Sequence, residues 1–161
     1  MKTLIFSCLI LLSTMIANSQ TRIAVLPFQN MDGDMNLNLW CYELQDSLAK
    51  ALLSEDPEEQ YYRIVPNDSV EALLTEFNID PSNPQYQSDV WKTIKLLNVK
   101  KVVTGNFNVQ YNNILINAYI YNVRTRVADP EFQAKDIFLE KPEFIKSISI
   151  ILPNLIPGLK K

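Results

Sequence analysis

Histidine is absent from the 161 residues, glycine occurs three times and cysteine twice. Without imidazole there is no Ser-His-Asp or Cys-His nucleophilic machinery and no zinc site that depends on histidine. Carboxylate, lysine and tyrosine chemistry stay open, though nothing in the chain advertises it. Cys8 falls within an apolar leader, which leaves Cys41 alone. No intrachain disulfide can then form, and stability must come from an apolar core. Three glycines do not make a phosphate-cradling loop. No apolar run approaches the ~20 residues that span a bilayer, and no linker, low-complexity tract or internal repeat divides the chain.

The leader is the most informative segment. Lys2 precedes an apolar run from Leu4 to Leu12, and Ala17 and Ser19 place small residues at −3 and −1 of a cleavage point. That pattern is a secretory signal peptide over residues 1–19, with a mature chain of 161 − 19 = 142 residues starting at Gln20. A lipidation site normally follows the hydrophobic region, whereas Phe6-Ser7-Cys8 lies where it has barely begun. The expectation is an exported, unlipidated protein. The mature chain holds 14 basic and 18 acidic residues, a net of −4, so overall charge makes no case for nucleic acid or an anionic membrane.

Periodicity gives the order β-α-β-α-α-β-β-β-α. Arg22 to Phe28 is a short apolar run ended by a proline and reads as a buried strand. Leu37, Trp40, Cys41, Leu44, Leu48, Ala51 and Leu52 keep helical spacing, with Asn36 as the expected N-cap. Tyr61–Val65 is a second strand. Val70, Leu73, Leu74 and Phe77 mark a short helix capped by Asn67 or Asp68, and 87–97 a further helix ended at Asn98. Lys100–Tyr111 and Ile114–Val123 form a hairpin turning at Asn112-Asn113. In its second arm an aliphatic set alternates with Leu115, Asn117, Tyr119, Tyr121 and Val123. Gln133–Leu139 is a weaker strand, and Pro142 opens a terminal helix. The fold class is α/β: one domain over 20–152, a mixed sheet of about five strands with helices packed on it, and a tail over 153–161.

This order and three phrases resemble the N-terminal domain of the Tol translocation protein TolB. The phrases are Ile23-Ala24-Val25-Leu26-Pro27-Phe28 with Asn30, Val99 to Gly105, and Ala118 to Val123. The same module recurs in LpoB-like activators of peptidoglycan synthases and in CsgG-like and FlgO-like envelope proteins. The resemblance implies a periplasmic module that binds other envelope proteins, with no catalytic residues to carry over. No propeller follows here, so TolB's own role is not implied, and there is no room for the long strands of a secretion channel.

Asn30, Asp32, Asp34, Asn36 and Asn38 alternate as calcium ligands do, but an EF-hand needs glycine sixth and glutamate twelfth, where Met35 and Cys41 stand. A polar turn is the expectation. Cys41, Trp40 and Trp91 read as packing residues, Glu55–Glu59 as a solvated loop, and Gly105 as a bulge or close-packing point. Glu71 and Glu76, five apart, do not meet as an acid/base pair. The candidate interaction surface is the tyrosine- and asparagine-rich hairpin: Tyr111, Asn113, Asn117, Tyr119 and Tyr121. The function expected is a non-enzymatic envelope module without cofactor, metal or nucleic acid, contacting its partner through this surface or by strand addition at an exposed edge. The alternatives are a self-associating structural subunit and a carboxylate enzyme using Asp32 and Asp34.

Overall fold

The computed structural model of the chain describes residues 20–161; the signal peptide read over 1–19, and Cys8 with it, lies outside them. The first extended run is broken. Strand β1 (Thr21–Val25) stops before Pro27, and a two-residue strand β2 (Gln29–Asn30) resumes beyond it. Both lie parallel to one partner, β4 (Lys101–Gln110): Ile23 pairs with Lys101 and Gln29 with Asn106. Opposite the break stands Gly105, where a Cβ would come within 2.1 Å of the Asn117 carbonyl oxygen and 2.3 Å of the Phe28 ring. Glycine is required there so that Phe28 can fill the gap left by the interruption. The close-packing reading of Gly105 holds.

The remaining elements are α1 (Asn38–Glu55), β3 (Tyr62–Ile64), α2 (Asn67–Glu76), α3 (Tyr86–Ile94), β5 (Asn113–Asn122), β6 (Val127–Glu140) and α4 (Ser147–Leu159), with 3-10 turns at Met35–Leu37, Lys95–Leu97 and Lys141–Lys146. The sheet order is β3-β1-β4-β5-β6, with β2 beside β4, making six strands. β3, β1 and β4 run parallel, and β4, β5 and β6 antiparallel. The α/β architecture agrees with the sequence, and β2 is the strand that periodicity missed.

Two apolar layers hold the sheet. On one face Leu44, Leu48 and Leu52 of α1 and Ile148, Ile151, Leu155 and Leu159 of α4 pack on Ile114, Ile116, Ala118 and Ile120 of β5. On the other, Val70 and Leu74 of α2 and Val90 and Ile94 of α3 cover Ala24, Leu26 and Val102. Cys41 is fully buried and its thiol is pushed up to about 12 by desolvation, which suits packing and not redox chemistry.

Four local expectations need correction. Asp34 caps the turn that leads into α1, accepting from the Asn36 N–H at 2.9 Å; Asn36 is not the cap. The hairpin turns one residue earlier than expected: Gln110 pairs with Asn113, and Tyr111 takes the left-handed conformation at φ 57°. The acidic run after α1 is not wholly solvated. Asp56 is buried and accepts the backbone N–H groups of Gln60, Tyr61 and Tyr62 at 2.9, 2.8 and 3.1 Å. Burial raises its pKa, but those donors outweigh burial and hold it below the ordinary carboxylate value. Finally, residues 153–159 are helix and not tail. Pro153 and Pro157 sit on the solvent side, four apart, where the carbonyls they leave unpaired face water. Leu155 and Leu159 hold the helix down, and the Lys101 ammonium donates to the Gly158 carbonyl at 2.7 Å.

Candidate functional site

Chain topology leaves part of one sheet face without a helix. After α3 the chain runs β4, β5 and β6 with only tight turns between them, and the one helix that follows, α4, packs on the opposite face. α2 and α3 cover β1 and the start of β4, and touch β5 only through Trp91 on Tyr121 near its end. The outer half of their face, over β4, β5 and β6, is therefore a bare platform of alternate residues.

Register sets its rows. Thr104, Tyr119 and Gln133 lie side by side, then Asn106 and Asn117, then Asn108, Leu115 and Phe138, and nearest the turn Gln110 with Asn113. Four of the five sequence candidates, Asn113, Asn117, Tyr119 and Tyr121, share this face. Tyr111 stands apart at the hairpin tip, 99% exposed. Trp91 at the end of α3 meets Tyr121 edge-on at 5.7 Å, and Tyr121 meets Tyr119 at 6.0 Å, so an aromatic row runs from under the helix onto the platform. Burial, with Asp136 nearby for Tyr119 and Tyr119 itself for Tyr121, raises both phenols, which keeps them neutral hydrogen-bonding groups. Sequence reasoning missed Thr104, Gln133 and Phe138. Phe138 is 64% exposed; a large apolar side chain alternating with buried Ile137 was the available signal.

Asn117 has a structural duty as well. Its amide donates to Asn106 at 2.9 Å and its oxygen accepts the Asp136 N–H at 2.9 Å. Asp136 adopts φ 58° in a stretch where the β5–β6 register shifts. Asn117 thus pins the bulge in β6. That bulge, Pro130 and Lys135 interrupt the outer edge of β6, and the other edge strand, β3, is three residues long. Such edges resist strand addition.

The Asn30–Asn38 loop is built to hold itself. The Asp32 carboxylate accepts from the Asn108 amide and from the Val109 N–H at 2.6 Å, tying the loop to β4. Asn30 is buried and donates to the Asp34 carbonyl at 2.8 Å and to Asn38 at 3.2 Å. Both carboxylates of the enzyme alternative therefore serve as turn and cap acceptors. Among the described residues, no group of three or more Asp, Glu or Cys side chains converges to hold a metal ion. The cleft between α3 and the platform, lined by Tyr86, Trp91, Thr104 and Tyr121, has a volume of about 40 Å³. It would hold a water molecule and not a metabolite.

No family model matches the chain, and no curated protein matches it in sequence. Solved structures do. The C-terminal domain of LpoB from Salmonella enterica aligns with a TM-score of 0.52 at 13% identity, over 74% of this chain and 82% of that one. LpoB of E. coli gives 0.55 at 13%, over 75% of this chain and 58% of its own length. Lipoprotein GNA1162 from Neisseria meningitidis gives 0.51 at 15%, over 83% and 97%. At such identities the likeness is one of fold: this chain has the LpoB-like α/β fold. No helix among the described residues is long and apolar enough to cross a membrane.

Proposed function

We propose that the protein is an exported accessory module of the cell envelope that binds another envelope protein through the bare half of its sheet. One observation carries this reading: an aromatic and amide platform, with Tyr119 and Phe138 on it, that no part of the described chain covers. Tyrosines held by cross-strand neighbours lose little freedom on binding, and their neutral hydroxyls beside Asn106, Gln133 and Thr104 suit a mixed polar and apolar partner surface. The signal sequence and the fold shared with LpoB domains and a lipoprotein support an envelope location, periplasmic in a Gram-negative cell. The narrower likeness to TolB rests on the three sequence phrases. The intact mass of the exported form tests the leader: cleavage after Ser19 without lipid is expected, and a diacyl mass on Cys8 would replace it with lipidation. The test of the platform is capture from a photoreactive residue at Tyr119 in living cells. One dominant envelope protein is expected. A self-adduct alone would establish the structural-subunit alternative instead.

A further inference from the structure

The fold sorts charge in a way that the net value conceals. Arg22 is the second residue of β1, and its carbonyl accepts the Lys100 N–H at 2.9 Å. The Lys100 carbonyl in turn accepts the Val123 N–H at 3.0 Å, which brings the Arg124–Arg126 turn alongside. Lys95 lies in the 3-10 turn that leads into β4, and Lys160 lies over the Tyr61 ring at 5.0 Å, next to the start of β3. Four segments remote in sequence thus deliver Arg22, Lys95 with Lys100, Arg124 with Arg126, and Lys160 to one end of the sheet. None of these six forms an ion pair among the described residues. Arg63 and Lys161 share that end but are paired with Glu59 and Glu131; the Asp56 carboxylate faces Lys160 and Asp129 faces Lys101, and Glu55 and Glu58 lie toward its β3 edge. Elsewhere the pattern differs: Lys50, Lys92 and Lys146 each pair within their own helix with Asp46, Asp89 and Glu143.

We propose that this end docks on an anionic phospholipid surface. One observation favours a membrane over a soluble polyanion. Exposed apolar side chains stand among the cations: Leu96 is 62% exposed, Val127 63% and Tyr61 49%, the mixture that inserts shallowly beneath headgroups. A cleaved leader would add the Gln20 amino group to the cluster. Docking this way stands the strands upright, holds the hairpin tip about 30 Å from the surface, and leaves the platform facing sideways, free for a partner. It is independent of the platform reading, since it uses none of the same residues.

Flotation of the purified exported protein with phosphatidylcholine vesicles, with and without phosphatidylglycerol, tests it. The expected result is binding to the anionic vesicles only, weakened by salt. Each removed cation costs about fivefold in partitioning, so Arg124→Gln with Arg126→Gln loses about thirtyfold, and Lys95→Gln with Lys160→Gln a comparable amount. The equal charge change Lys50→Gln with Lys146→Gln leaves binding intact. Equal loss in all three double variants would overturn the proposal, as would equal binding to neutral vesicles. Retention on heparin without any vesicle binding would overturn it in favour of a soluble polyanion.

Discussion

Ile114, Ile116, Ala118 and Ile120 share a strand with Leu115, Asn117, Tyr119 and Tyr121, yet the two sets have different surroundings. The first lies under α1 and α4 and is fully buried; the second is half-buried, with Trp91 of α3 reaching only its end. A strand between two helical layers would be apolar on both faces. β5 is apolar on one only, and the other carries amides and phenols whose hydrogen bonds water or a partner can complete. The covered face is where stability resides. The bare face costs little to alter, so its aromatic content calls for a reason other than folding.

Substitutions should separate the two faces, and the largest effect belongs to the covered one. Gly105→Ala forces a Cβ against a backbone carbonyl and the Phe28 ring, and is expected to cost at least about 3 kcal/mol, read from a urea midpoint. Ile116→Ala removes most of a fully buried side chain and should cost about 3 kcal/mol. A loss below about 1 kcal/mol for either would break the comparison.

Asp56→Ala strips three backbone N–H groups of their carboxylate and should cost about 2 kcal/mol. Its effect depends on pH. Asp56 has a lowered folded-state pKa, so its contribution is fully present above the unfolded carboxylate value, near 3.9, and is lost as pH falls through the folded value. The variant should therefore flatten the acid limb of the stability profile while staying less stable at neutral pH. An acid limb identical to the parent's would refute the role given to Asp56.

On the bare face Tyr119→Ala should cost no more than about 1 kcal/mol while abolishing partner capture, and Asn117→Ala about as little, with faster amide exchange confined to the Asp136 bulge. A large stability loss from Tyr119→Ala would make the platform part of the core and erase the contrast.

Much of this was legible in the chain because alternation is strong where one face is buried and the other wet; the hairpin, its two faces and the tyrosine-asparagine set follow from β5 alone. Besides β2, the Asp34 cap and the buried Asp56, three features were not. The turn slipped by a residue because Asn112-Asn113 suits positive φ, but the ladder closes at Gln110–Asn113 and leaves Tyr111 to take the left-handed position. Helix α4 was cut short at Pro153 because local propensity speaks against it; tertiary contacts at Leu155 and Leu159, and Lys101 from across the sheet, override that. The platform's outer row and the basic end depend on register between segments remote in sequence, such as Leu115 with Phe138 and Arg22 with Lys100, which no periodicity reports.

The most direct test compares photocrosslinking in cells from Tyr119 and from Leu53, an exposed apolar position on the outer side of α1. The account predicts one dominant envelope protein captured from Tyr119 and not from Leu53. Capture of the same proteins from both positions, or of none from Tyr119, would contradict it.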